Sequence, residues 1–385
     1  MNNFKSGYKF VKTEGCKELL IIISILVIIG FMAIVSASLP MCVARHLNPF
    51  YYIIQHLFWI AIGGFGLYYF LKFDYNQLRK YTFSFAFLVI MLLLIVKFTP
   101  LGVTINGAKR WLNLVFFQFQ PSEFSKIALI MLLGNLFSLK REQFKTNLLK
   151  YLLTLGVMIF IVLKQPNLSM TLILLGIAFC MYISSGKTLK PLYIGLAMII
   201  SLFILIKINV INLSNYIEPF QLERIMNWSN SEPDIQGGGY QVFHSMVAIS
   251  SGGIFGCGYG ASKEKLGWLP ESHTDFIFSV ISEEMGFVGS LFIILLFLAL
   301  LYKGVNIASK CPNLYGRLIA FGITVSITMQ AFFNISVATS FLPATGITLP
   351  FISYGGSSLF VTMCMVGILF NVSKNKLVRS PRKEL

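Results

Sequence analysis

Fifteen carboxylate side chains are spread through 385 residues, and three of them fall in one short stretch, TDFIFSVISEEMG. Asp275 stands where the polar segment WLPESHT gives way to an apolar run, and the chain has only two other aspartates, Asp74 and Asp234. Partial desolvation at such a boundary raises a carboxyl pKa and strengthens the group as a general base toward a hydroxyl. Thr274 and Asp275 are also good helix N-caps, so simply beginning the helix is a second reading. Glu283 and Glu284 follow on the same run, roughly 12 to 13 Å deeper at the rise of an α-helix. Unpaired charges there cost several kcal/mol, so these two must pair, bind a cation or be neutral. A structural partnership with a buried cation such as Lys126 and a direct role in the chemistry both remain open.

Basic residues on the same outer face are few. Lys109 and Arg110 precede Trp111, and Arg224, Lys263 and Lys265 are others. A membrane-anchored anion such as a lipid pyrophosphate would favour them, with Arg donating to phosphate oxygens and Trp111 seated at headgroup level. Neutralising nearby glutamates or anchoring loops to lipid heads is the plainer alternative. The glycine clusters GGGYQ, SGGIFGCGYG and YGGSS could cradle phosphate, but none has the strand and helix context of a P-loop, and turns or close helix contacts explain each alone.

The elements that must position these groups are membrane helices. Hydrophobic residues make up 56% of the chain and charged ones 12%, with a mean hydropathy of +0.75. That is too little polar surface to coat a water-soluble domain. Apolar runs reach the roughly 18 to 25 residues that cross about 30 Å of hydrocarbon. Ten spans are predicted, at 19–38, 51–71, 81–99, 124–139, 149–164, 168–185, 190–208, 275–302, 317–342 and 352–372. The fold class is therefore an all-α polytopic membrane protein, with a domain over 19–372 between an N-terminal tail, 1–18, and a basic C-terminal tail, 373–385. The first apolar run is too long for a cleavable signal and is read as a retained span.

An even number of spans puts both tails on one side, and the Lys and Arg of the tails and short loops mark that side as cytoplasmic. The net charge of +16 is thus a topology signal, with some attraction to anionic membrane lipids, and nucleic acid is not expected as a partner. The opposite face receives one long excursion, 209–274, and two shorter loops, which together carry all three glycine clusters. Within the excursion, YQVFHSMVAI could form a short helix against the membrane surface. Six widely spaced cysteines show no metal-ligand pattern, and a Cys42 to Cys257 disulfide is conceivable.

The motifs INGAKRWLNL, FQPSEFSKIALI, QPNLSMTLILL, SSGGIFGCGYGASKEKLGWLPESHTDFIFSVISEEMGFVG and LPATGITLPFISYGGSS resemble, in this order, those of the SEDS proteins FtsW and RodA. The resemblance covers roughly residues 19–372. It implies a ten-helix peptidoglycan glycosyltransferase of the bacterial inner membrane. Such an enzyme joins lipid II, an undecaprenyl-pyrophosphoryl disaccharide pentapeptide, into glycan strands. It works with a cognate class B penicillin-binding protein, an FtsI-like transpeptidase, and other divisome membrane proteins. The resemblance makes Asp275, in HTDFIF, the catalytic residue. GASKEKLGWLPESHTDFIF and TGITLPFISYGGSS look more like FtsW, the division enzyme, and point to the septum. Asn167 stands where many members carry Asp after QP.

On this reading Asp275 takes the proton of an acceptor hydroxyl while Lys109, Arg110 and Lys265 offset charge on the departing pyrophosphate. Trp111, Gln120, Ser122, Glu123 and His273 would line the same outer cavity, and Tyr354, Ser357 and Ser358 would supply hydrogen bonds. No cofactor is demanded, although a divalent cation, Mg or Mn, could accompany the pyrophosphate. Three rivals are a flippase for the lipid-linked precursor, a scaffold that recruits division proteins, and a RodA-type elongation polymerase.

Overall fold

The computed structural model describes residues 8–12, 17–105, 107–113, 118–187, 224, 228 and 239–379. The helices are α1 (Lys17–Ala44), α2 (Tyr51–Lys72), α3 (Tyr75–Phe98), α4 (Pro121–Ser138), α5 (Arg141–Leu163), α6 (Leu168–Ser184), α7 (Tyr240–Ser251), α8 (Ile277–Lys310), α9 (Leu314–Ala338) and α10 (Gly356–Ser373). Among the described residues, seven are long and apolar enough to cross a membrane, namely α1, α2, α3, α5, α8, α9 and α10. The span predicted at 190–208 and most of the excursion up to 238 lie outside the described residues.

Several helices outrun their predicted spans because polar ends continue the helix past the apolar run. α3 starts at Tyr75 rather than 81, since the Asp74 side chain caps it by accepting from the Asn76 amide at 3.0 Å. α5 begins at Arg141, α8 runs on to Lys310, and α1 continues through Pro40. Cys42 and Cys257 are both free thiols, so the conceivable disulfide is not formed.

The centre of the bundle is α4, α9 and α10: α4 is buried along nearly its whole length, and the apolar stretches of α9 and α10 are 78% and 89% buried, against 22% for α2. α2 packs along α10 through glycine. A Cβ on Gly367 would lie 2.5 Å from the Leu67 carbonyl oxygen, and one on Gly356 would lie 2.0 Å from the Trp59 ring. The second glycine of YGGSS thus serves helix packing. Strands β1 (Tyr8–Lys12) and β5 (Asn375–Arg379) pair antiparallel, Tyr8 opposite Arg379, which brings the two tails together. A three-stranded sheet, β2 (Gly102–Ile105), β3 (Ala108–Asn113) and β4 (Gln118–Phe119), links α3 to α4.

α8 is broken at Gly286, where φ is 66° and ψ is −165°. The glycine-rich segment after α7 docks on this break. The amides of Cys257 and Gly258 donate to the carbonyls of Glu283 and Glu284, at 2.9 and 3.1 Å. In return the amides of Phe287 and Val288 donate to Gly253 and Ile254, at 2.9 and 3.2 Å. Backbone groups released by the break are therefore satisfied inside the protein, as an apolar surround demands. The approach is too close for side chains: Cβ atoms on Gly252 and Gly256 would sit 2.1 Å from the carbonyl oxygens of Ser282 and Glu284. SGGIFGCGYG is a backbone plug, and its glycines need no phosphate to explain them. α7 itself rests on protein, with the Ser245 hydroxyl 2.6 Å from both Ser279 Oγ and the Ala338 carbonyl.

Candidate functional site

Asp275 occupies the turn just before α8 and is half-buried. It does not cap the helix: Phe276 holds the cap position without a side-chain bond, and Thr274 Oγ1 donates backward to the Glu271 carbonyl and carboxylate. Three successive carbonyls of this turn are pinned from the α9 to α10 region. Tyr354 N donates to His273 O at 3.0 Å, Ser353 Oγ to Thr274 O at 2.6 Å, and Asn334 Nδ2 to Asp275 O at 2.7 Å. Asn334 Nδ2 also donates to Ile347 O at 2.7 Å, so one buried amide holds both the aspartate and the neighbouring loop. The Asp275 side chain and Arg110 flank one point over Gly346. A Cβ built on Gly346 would lie 3.4 Å from Asp275 Oδ2 and 3.9 Å from Arg110 Nη1.

Arg110 reaches this point because side chains alternate along β3. Its Nε donates to Gln165 O at 3.3 Å and its Nη2 to Pro166 O, which clips the strand to the α5 to α6 break. Lys109, next along the strand, lies on the alternate side and donates its ammonium to Thr99 O at 2.8 Å, within the protein. Trp111, half-buried, pairs in register with Val103. Asn167 accepts from the Met170 amide and caps α6, so this position holds a helix end without a charge.

The electrostatics suit a base. Burial, and then the Glu271 carboxylate, push Asp275 up to about 7, while Arg224 and Arg110 pull the other way. Burial and the neighbouring Arg224 bring Arg110 down to about 10, against the pull of Asp275, which leaves it cationic at neutral pH. Burial takes His273 down to about 4, so its ring is neutral, packed against Tyr52 and Tyr354.

Other expected site residues are engaged within the protein. Lys265, expected to meet phosphate, is instead 5% exposed and spends its ammonium on Glu284 Oε1 at 2.6 Å, Ser36 Oγ at 2.6 Å and Gly260 O at 2.8 Å. Glu284, 3% exposed, also accepts from Ser36, and Glu283 accepts from Ser262 Oγ at 2.5 Å and Lys263 N at 2.8 Å. Both glutamates thus have structural partners, but the cation is Lys265 and not Lys126. Lys126 pairs one turn back with Glu123 at 2.6 Å and donates to Gln330 Oε1. The buried Ser122 hydroxyl accepts from Asn167 at 3.4 Å.

The three hydrogen-bonding residues at the start of α10 act on the scaffold. Tyr354 donates its hydroxyl to Gln55, Ser357 Oγ accepts from the Gln120 amide at 3.0 Å, and Ser358 Oγ accepts from Thr348 at 3.0 Å and Gln330 at 3.3 Å. Glu271, Asn334, Ser353 and Gly346 complete the site and were not singled out in the sequence. Glu271 had a signal, being the other acid in the polar segment, whereas the rest act through contacts from far along the chain. A partly buried carboxylate and a guanidinium that flank one point offer a proton acceptor on one side and, in the guanidinium, a stabiliser for a departing anion on the other.

Known proteins of one family resemble this chain along nearly its whole length. A family model described as cell cycle protein, covering FtsW, RodA and SpoVE, matches residues 17–377. The chain is 36% identical over 374 residues to a probable peptidoglycan glycosyltransferase FtsW of Geobacter metallireducens, covering 96% of this chain and 97% of that protein. It is 34% identical over 372 residues to stage V sporulation protein E of Bacillus subtilis, covering 94% and 98%. Among solved structures it resembles a chain from a study of polymerization and crosslinking by a peptidoglycan synthase complex, with TM-score 0.74, 26% identity, and 93% and 97% coverage. The rod shape determining protein RodA of Thermus thermophilus is also similar, with TM-score 0.66, 25% identity, and 93% and 96% coverage.

Proposed function

Because the chain belongs to the cell cycle protein family of FtsW, RodA and SpoVE, we propose that it is an integral membrane peptidoglycan glycosyltransferase that polymerises lipid II with Asp275 as general base. The observation that carries the chemical assignment is the half-buried Asp275 carboxylate, pushed up to about 7 and facing Arg110 across Gly346. The acceptor sugar hydroxyl approaches Asp275 Oδ2. Its oxygen forms a bond to the anomeric carbon of the donor while the bond from that carbon to the pyrophosphate oxygen breaks. The electron pair leaves with the lipid pyrophosphate, the proton passes to Asp275, and direct attack inverts the anomeric centre. A pyrophosphate departs without protonation, so a second carboxylic acid, as in glycosidases, is not required. Arg110 offsets the developing negative charge.

Likeness to a chain of a peptidoglycan synthase complex supports a partner that crosslinks the product, of the class B penicillin-binding type. Likeness to FtsW proteins supports work at the division septum. The test is polymerisation of lipid II by purified protein together with a penicillin-binding protein that lacks its own polymerase activity. Asp275→Ala should form no glycan chains; chains made at the wild-type rate would remove the assigned base.

A further inference from the structure

We propose that the volume over Gly346 is the reacting point itself, and that this glycine admits the acceptor hydroxyl between Asp275 and Arg110. The inference rests on the polymerase reading of Asp275. Glycine is usually demanded by a left-handed backbone or by a neighbour too close for a side chain. Neither applies here. Gly346 is absent from the residues with positive φ. A Cβ on it would meet only Asp275 Oδ2 at 3.4 Å and Arg110 Nη1 at 3.9 Å, both ordinary van der Waals distances. The contrast with Gly252, Gly256 and Gly286 is sharp, since a Cβ on those would lie 2.1 to 2.3 Å from backbone atoms.

A methyl group at Gly346 therefore fits the protein but not the reaction. A general base takes a proton across roughly 2.6 to 3.2 Å, so an attacking oxygen placed between Asp275 and Arg110 falls close to the position that a Cβ would fill. The same point lies within reach of the guanidinium that faces the leaving phosphate, so a hydroxyl held there stands between proton acceptor and anion acceptor. The gap cannot simply widen. Asn334 donates to the carbonyl of Asp275 and to that of Ile347, which fixes the base and the loop carrying Gly346 to the same side chain. The acceptor class that fits is a sugar hydroxyl presented edge-on, with no substituent between its oxygen and Oδ2.

The experiment compares full-length wild type, Gly346→Ala and Asp275→Ala with lipid II and the polymerase-deficient penicillin-binding partner. For Gly346→Ala we expect an unchanged melting temperature, with kcat lowered about 100-fold, the scale of a misplaced reacting atom. An inactive Asp275→Ala beside a Gly346→Ala enzyme of wild-type rate overturns this inference alone. A fully active Asp275→Ala enzyme removes the polymerase base and this inference with it. A Gly346→Ala protein that melts several degrees lower would assign the glycine to packing and overturn the inference as well.

Discussion

At the scale of single residues, Asp275 owes its basicity to burial first and to Glu271 second, which outweigh the two arginines. Below about pH 7 the carboxyl holds its proton and cannot accept another. Polymerisation should therefore rise with pH through about 7 and level off above it, as a pH–rate profile will record. Glu271→Gln removes the second negative charge, lowers the Asp275 pKa and should move the rising limb to lower pH without abolishing activity. A limb that stays in place would show that Glu271 acts on the fold of the turn and not on the charge of the base. His273, down at about 4, stays neutral across this window and should add no second limb.

At the scale of elements, the break in α8 explains why charged side chains can stand so deep in an apolar helix. The plug after α7 answers the freed backbone groups, and Lys265, carried in by the same segment, answers Glu284. Removing one partner leaves the other charge buried, a loss of about 3 to 5 kcal/mol in comparable pairs. Lys265→Met should accordingly lower the melting temperature in detergent, and the double variant Lys265→Met/Glu284→Leu should recover part of the loss. If the double variant melts lower than the single one, the pair is not what holds the plug. The turn bearing Asp275 follows the plug in sequence, and its three carbonyls are held by α9 and the loop before α10. The geometry of the turn bearing Asp275 is thus set between the plug on one side and α9 with the loop before α10 on the other.

At the scale of the whole molecule, the basic loops and tails and the reactive turn lie at opposite ends of the bundle in the predicted topology. In a cysteine-free background, Lys263→Cys should react with a membrane-impermeant maleimide in intact spheroplasts. Lys140→Cys, in the loop between α4 and α5, should react only after permeabilisation. Labelling of Lys140→Cys from outside would invert the orientation and put Asp275 in the cytoplasm. The antiparallel pairing of β1 with β5 places the two tails together, so tags at both ends should report the same side.

Hydropathy and charge order are properties of consecutive residues, so the sequence alone determined the helical membrane class, the shared side of the two tails and the candidacy of Asp275. Its motifs also carried the family. Which groups meet was decided only by tertiary structure, because each decisive contact joins distant parts of the chain. Ser36 reaches Glu284, Arg110 reaches the carbonyls before α6, and Asn334 reaches Asp275. Lys109 and Lys265 looked as eligible as Arg110 from their charge. Strand alternation turned the first away, and the buried break in α8 claimed the second. Gly346 could not be told from the other glycines until folding showed that the atoms nearest to it are a carboxylate and a guanidinium.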